Sequence, residues 1–566
     1  MRFRKVSSAL ALAAILLAAP GCKDFFDVNT DPLSPTEANV VQLLPGTQVA
    51  MSTYLGFNIQ GLGHGTSGYM SQVFNGRAEF IQAQNAWQTP WSGLYTDMLS
   101  NNEIIIRQAT ADASWGYVGV AQLQKAYVFS QLVDAFGDVP YSEALKGTQG
   151  VRNPRFDAAV DIYNGNADKG IQGLFSLIDE ALANLAKPGA TINGSADIVY
   201  GGNMSKWQHF GQALKLKLYN QIRKTRDVSA DVQPLLTQGL LNADEDFSVG
   251  YGQSNSPENR HIGFLSDYVN TPPENSIAPY IFLLMTYGDG KDYAPTVAAD
   301  PDPRIPYYFF NQLASPGSAG LNGFSSGRFF TTIPYSTDGS GSANTGDVRT
   351  LPGLYPYGGR YDNGTGIVTD ESSAPGNGIQ RLLPYFSQKF TEAEIQLTVL
   401  NNPTAAEVAY REGVTAAFAA VDKVASRVNG AAPGAGTNYI NTPGIGAPPA
   451  SILNKFANAS SNEDKLRVLM EQKYIASFGM GPDIYTDFRR THYPVLAVPG
   501  EVQAQPDLGL VADTQGGNPY GGTNASGFLP RRLYYPLTDL IANLSPEAPK
   551  VQVQPGDANY RIFWDR

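Results

Sequence analysis

Cys22 is the only cysteine among 566 residues. A lone thiol cannot close an intramolecular disulfide, so Cys22 has another task. Directly before it lie an apolar run from Ala9 to Ala19 and the pair Pro20-Gly21, with Arg2, Arg4 and Lys5 at the start. A charged beginning, a short apolar stretch and small residues at the cut are the parts of an export signal. A cysteine just after such a cut can carry lipid and become the new N-terminus; the alternative is ordinary secretory cleavage beside a chance cysteine. Other chemistry-bearing residues are less pointed. His64, His209, His261 and His492 are scattered without metal-ligand spacing. The sequence holds no phosphate loop, nucleophile elbow, HExxH or dinucleotide glycine fingerprint, and no cofactor or metal is expected. Acidic residues are plentiful, but sequence cannot pick out the pair that a glycosidase needs about 5–10 Å apart. Asp300–Arg304 and Asp362–Gly366 could offer oxygens to calcium, yet neither fits a twelve-residue calcium loop, and turns explain them better.

A different chemistry is written in the loops. Flat rings stack on the apolar faces of sugars while amide and hydroxyl neighbours satisfy the hydroxyls. Trp87, Tyr287, Tyr335 and Tyr357 are the candidate ligand-binding residues on that logic. Such loops would equally suit a peptide or protein partner. Trp87 stands in NAWQTPW, where Pro90 should keep it in a loop; the alternative is that it packs beneath that loop.

Forty basic against 51 acidic residues give a net charge of −11, which excludes a nucleic-acid binder relying on phosphate neutralisation. Removal of residues 1–21 takes away Arg2, Arg4 and Lys5 and leaves −14. Such a surface does not attract anionic lipid, so attachment to a membrane would rest on acyl chains at Cys22. The Ala9–Ala19 run is too short to span a ~30 Å hydrocarbon core, which needs about 20 residues. Around Cys22 the sequence resembles a bacterial lipobox, with Ala19 and Pro20 as departures. Lys23-Asp24 resembles the lysine-plus-acid signal that sends lipoproteins to the cell surface.

These residues need elements to position them. Charged residues make up only 16% of the chain and apolar ones 42%, with 58 glycines and 38 prolines. That composition excludes a highly charged disordered chain and a coiled coil. At ~150 residues per domain the length permits one to four domains. Helical periodicity runs from about Thr36 to Leu55, Ser92 to Thr110, Trp115 to Phe136, Gly170 to Ala186, Ser205 to Arg223, Thr404 to Val424 and Ser460 to Phe478. In Ser205–Arg223 the stripe Trp207, Phe210, Leu214, Leu218 and Ile222 predicts one buried face, with Lys206, Lys215, Lys217 and Arg223 largely on a wet one. Ser460 and Glu463 are placed as a capping box and Gly479 as the stop. Between residues 250 and 380 periodicity vanishes, yet aromatic residues crowd the stretch. So many rings predict a long, ordered, loop-rich excursion rather than a linker. Two smaller excursions follow, at about 427–450 and 497–528. No crisp repeat of ~34 residues emerges, although WSGLY and the small-residue helix at Gly116–Ser130 are compatible with degenerate tetratricopeptide-like pairs.

Several passages, in order along the chain, resemble the SusD/RagB outer-membrane lipoproteins. They are CKDFFDVNTDPLSPTEA, the W-x-x-x-Y of Trp91–Tyr95, DAFGDVPYSEA (Asp134–Ala144), GGNMSKWQHFGQALKLKLYNQIRK (Gly201–Lys224) and DPRIPYYF (Asp302–Phe309). Further on come EQKYIASFGMGPDIYTDFRRTHYPVL (Glu471–Leu496), PRRLYYPLTDLIAN (Pro530–Asn543) and RIFWD (Arg561–Asp565). The likeness covers nearly all of the mature chain, in the branch with the NTDP opening; FGMGP departs from the Gly-Xaa-Glu-Trp-like turn of many relatives. It implies a mostly α fold: a tetratricopeptide-like scaffold of about four helix pairs carrying loop-rich insertions and a few short strands. It implies capture of glycans, or of peptides in the RagB branch, without catalysis, for a SusC-like TonB-dependent transporter. It also implies that Asp487, Arg489 and Arg490 pair inside the scaffold, while ligand residues lie in variable loops and cannot be carried over by motif. The expected organisation is a signal peptide at 1–21, a lipid-anchored linker at 22–35 and one domain at 36–566, its helices at about 36–250 and 380–490. A secreted glycoside hydrolase is the remaining alternative, resting only on the abundance of acids.

Overall fold

The computed structural model describes residues 38–58, 60–69, 72–74, 85–270, 275–277, 281, 284–285, 302–310, 322–323, 329–330, 350–362, 374–426, 452–494, 531–549 and 561–566. Among these the fold is mostly α. The first half carries α1 (Val40–Leu55), α2 (Leu62–Tyr69), α3 (Gln88–Gly93), α4 (Ser100–Ala111), α5 (Trp115–Phe136), α6 (Leu174–Leu185), α7 (Met204–Ile222) and α8 (Ser229–Thr237). A π-turn, Leu94–Leu99, joins α3 to α4, so the segment expected as one helix from Ser92 is one helix with a wider turn inside it. After the insertion come α9 (Tyr385–Thr398), α10 (Pro403–Ala425), α11 (Ile452–Asn458), α12 (Asn462–Ala476), α13 (Gly481–Thr491) and α14 (Leu537–Ala542). None of the described helices is long and apolar enough to cross a membrane.

Successive helices pack as neighbours: α4 on α5, α5 on α6, α6 on α7, and later α9 on α10. Small residues set the spacing. A Cβ added at Gly119 would meet Leu185 at 2.6 Å, and one at Gly211 would meet Leu182 at 2.7 Å. The small-residue pattern of α5 therefore does bring a neighbouring helix close. In α7 the stripe Trp207, Phe210, Leu214, Leu218 and Ile222 is buried as expected. The wet face is narrower than expected, because Lys217 turns inward to Asp483 at 2.9 Å and Arg223 to Glu394 at 2.8 Å. Fixed carboxylates on other helices keep both cations from water, which periodicity cannot foresee. The cap of α12 also differs by one residue. Ser461, not Ser460, accepts from the Asp464 amide at 3.1 Å, and both serine hydroxyls donate to the Asp464 carboxylate.

Among the described residues, ten strands of two to five residues pair antiparallel in twos. The longest pair, β1 (Phe247–Gly250) with β2 (Ile379–Leu383), joins the two ends of the long excursion. Helices before and after it also meet directly, through the Asn220 amide of α7 on Glu394 of α9 at 2.8 Å. The core falls into two clusters. The larger spans α1 to α8, the insertion and the C-terminal residues; the smaller joins α9, α10, α11 and α12 around Phe390, Tyr410, Phe418, Phe456 and Leu469.

Candidate functional site

The end of α5 gathers the sequence passages singled out above. Gly137 follows α5 with φ +87°, a conformation that favours glycine, and a Cβ there would lie 2.8 Å from the Arg532 guanidinium. Just before it, Asp134 accepts from the Tyr163 hydroxyl at 2.7 Å and the Trp564 indole at 2.9 Å. Its backbone carbonyl accepts from Arg489 at 2.5 Å. Arg489 lies over the Tyr485 and Trp564 rings and donates to the Arg531 carbonyl at 2.9 Å. The Leu533 amide bonds the Ala135 carbonyl at 2.8 Å, and the Tyr535 hydroxyl bonds that of Asp138 at 2.7 Å. The Trp91 ring completes the knot, edge-on to Phe136 at 4.9 Å. Burial pushes the Asp134 carboxyl up to about 6, against its hydrogen bonds and the nearby Lys217 and Arg489 charges.

The next residue of α13, Arg490, is fully buried between Glu394 and Asp487, with Gln221 on its Nε at 3.1 Å. Lys473 shares Asp487 at 2.8 Å, and Arg223 shares Glu394. Asp487, Arg489 and Arg490 thus work inside the scaffold. These carboxylates are saturated by fixed cations, which suits them to holding helices rather than to moving protons through solvent.

The described base of the insertion is built from rings. Tyr308 lies stacked between Tyr355 at 4.8 Å and Phe478 at 5.0 Å, and the Arg381 guanidinium sits 4.5 Å from the Tyr355 ring. Arg304 is held by Asp302 at 2.6 Å and lies 4.2 Å over Phe418. Asp302 is therefore engaged by an arginine, in keeping with the structural reading of that stretch. Tyr357 stacks on Phe57 and on His261, each at 5.6 Å, and donates its hydroxyl to Asp267. Asp267, carried on a second π-turn (Leu265–Val269), also accepts from the Asn275 backbone and side-chain amides at 2.9 Å. His64 pairs with the Asn275 side-chain oxygen. His261 accepts from the Gly263 amide on Nδ1 at 3.0 Å, leaving Nε2 to donate to Gln380 at 3.3 Å. Burial lowers the His261 pKa to about 3, so the ring is neutral.

These positions decide how the candidate ligand residues stand. Tyr357 has no exposed surface and Trp87 is 6% exposed. Trp87 covers Gly65 so closely that a Cβ there would come within 2.4 Å of the ring. In this structure neither ring offers a face to a solute. Tyr357 is held by stacking and by Asp267; Trp87 packs at the start of α3, the alternative left open for it. Tyr287, Tyr335 and Cys22 lie outside the described residues. The expectation for Tyr357 thus needs a correction, and its neighbours at the base of the insertion, Tyr307, Tyr308, Phe309, Phe310 and Tyr355, are likewise buried and fasten the insertion to the scaffold. The Asp267, Asn275 and His64 cluster was not foreseen. Asp267 and Asn275 are eight residues apart, but His64 comes 211 residues before Asn275, on α2, so no local signal joins the three.

Together these features define an α-helical scaffold protein whose long insertion is fastened at its described base. A family model described as "Starch-binding associating with outer membrane", SusD-like, matches residues 33–536, and the chain belongs to the SusD/RagB family. Its fold is similar to that of a SusD homolog from Bacteroides fragilis NCTC 9343, with a TM-score of 0.62 and 18% identity over 94% of this chain and 100% of that one. A chitin-binding SusD homolog from Flavobacterium johnsoniae gives a TM-score of 0.61 and 19% identity over 92% of this chain and 98% of that one. A SusD homolog from Bacteroides uniformis gives 0.61 and 18% over 93% and 99%. None of the curated proteins compared with it matches. The family is associated with the outer membrane, and its members are binding proteins rather than enzymes.

Proposed function

We propose that this chain is a cell-surface lipoprotein that captures glycans and passes them to a SusC-like TonB-dependent transporter, with no catalytic step of its own. The observation that carries the reading is the family match across 33–536, joined to a fold shared over nearly its full length with a chitin-binding homolog. Residues 1–21 would be removed, Cys22 lipidated, and residues 36–566 held as one domain beyond a short linker. Its face toward the ligand would be built on the ring-clamped insertion, whose buried base leaves the outer loops free to vary without unsettling the scaffold. Tyr287 and Tyr335 are the proposed stacking platforms there.

Isothermal titration of the mature chain against chitin, starch and other oligosaccharides, with oligopeptides in parallel, tests the ligand class. Saturable binding to a glycan is expected; binding to peptides alone would overturn it in favour of a peptide importer. A Cys22→Ser variant is expected to move from the membrane fraction to the soluble one, and its retention in membranes would sink the anchor.

A further inference from the structure

The outer face of α1 carries a hollow of about 450 Å³ lined by Pro45, Gly46, Val49, Ala50, Thr53, Tyr54 and Asp97. Its helical wall places Pro45-Gly46, Val49-Ala50 and Thr53-Tyr54 at i, i+4 and i+8, one mainly apolar track along the helix. Val49, in the middle, is 44% exposed. The floor is constructed: Tyr54 lies flat over Gly93, where a Cβ would come within 2.2 Å of the ring, and its hydroxyl donates to Asp97 at 2.6 Å. Asp97 is carried there by the π-turn of the W-x-x-x-Y helix. At the near end, Pro45 has no N–H to give the Val41 carbonyl four residues before it.

The described chain begins at residue 38, and Asn39 caps α1 on the Val41 amide at 3.0 Å. The preceding segment, CKDFFDVNTDPLSPTE, therefore leaves within two turns of the hollow. Asp31-Pro32 and Ser34-Pro35 are turn-forming pairs that can send it back along α1. From Pro35 to Phe25 an extended chain reaches about 33 Å, while the track from Pro45 to Tyr54 is about 14 Å long. Phe25 and Phe26 are the only aromatic residues of the segment and Lys23 its only cation, set against Asp97 in the hollow. We propose that this hollow is the docking site of the chain's own N-terminal segment, with Phe25 and Phe26 seated along Pro45, Val49 and Ala50 and Lys23 directed toward Asp97. If Cys22 carries lipid, only about 10 Å of chain then separates the anchor from the docked rings. That consequence rests on the anchor reading; the docking does not.

Paired cysteines in a Cys22→Ser background test it. Phe26→Cys with Val49→Cys should form an intramolecular disulfide under mild oxidation about tenfold or more faster than Phe26→Cys with Val408→Cys, a 56%-exposed residue on α10. Equal rates would overturn the docking, and disulfide-linked dimers would assign the hollow to a second copy instead. In a chain with both phenylalanines intact, Val49→Asp should speed tryptic cleavage after Lys23 by about tenfold, by releasing the segment into the unfolded-like state that proteases cut. An unchanged cleavage rate would also overturn it.

Discussion

The end of α5 and the base of the insertion are both buried and both rich in rings, yet they hold distant segments by different means. At α5 the partners are directional: Asp134, Arg489, Trp564, Tyr163 and the 531–535 backbone meet through hydrogen bonds of 2.5–2.9 Å. At the insertion, Tyr308, Tyr355, Phe478, Phe57 and Tyr357 meet mainly by stacking at 4.8–5.6 Å. A hydrogen-bonded charge accepts few substitutes, since losing one partner strands the other in a low dielectric. A stacked ring accepts another ring of similar size. One region is therefore fixed residue by residue, while the other is fixed only in shape.

The largest expected effect lies on the directional side. Glu394→Ala would leave Arg490 and Arg223 sharing a buried site without their common carboxylate. Loss of one buried partner costs about 3–5 kcal/mol, so urea denaturation should show a clearly lower midpoint. A midpoint within error of the parent would mean that the network is not holding α7, α9 and α13 together.

Acidification should separate the two regions by sign. Asp134 has a folded pKa raised to about 6, so between about pH 4 and 6 the native state holds more protons than the unfolded one. Its contribution to stability therefore falls as pH rises through that window. His261 has a folded pKa lowered to about 3, so between about pH 3 and 6.5 the unfolded state holds more protons. Its contribution rises with pH there. Each can approach ~1.4 kcal/mol per pH unit where its occupancy differs fully between states. Asp134→Asn should make stability climb more steeply from pH 4.5 to 6, and His261→Gln should flatten it. Identical slopes for the two variants would break the contrast.

The same distinction governs how much was legible from sequence. The hub at α5 was visible as motif because its residues are not interchangeable, and Trp115–Phe136 was visible as a helix down to both ends. Helix α13 escaped periodicity, since Asp483, Thr486, Asp487, Arg489 and Arg490 are buried around it together with Ile484 and Tyr485, so burial does not follow a purely apolar stripe. Helix α9 hid similarly, with Ser387, Gln388, Thr391 and Glu394 facing inward beside Phe386 and Phe390. For the insertion, composition marked it as rich in rings, which offset ordering entropy where they are buried, as they are at its described base. It could not say which rings were buried. Tyr357 and Trp87 looked like exposed platforms because a loop tyrosine or tryptophan has the same local context whether it faces a sugar or a glycine.

The smallest expected change is the sharpest comparison, because it applies one substitution to both regions. Tyr163→Phe removes a donor from Asp134, a buried carboxylate, and should cost about 1–3 kcal/mol. Tyr308→Phe removes a buried hydroxyl that has no hydrogen-bond partner among the described residues. Its ring keeps both stacking neighbours, Tyr355 and Phe478, and a polar atom leaves a dry site. The expected change is within about 1 kcal/mol, on the stabilising side. Chemical denaturation of the two variants side by side checks the difference. If Tyr308→Phe cost as much as Tyr163→Phe, the insertion would be held by polar direction as well as by ring shape.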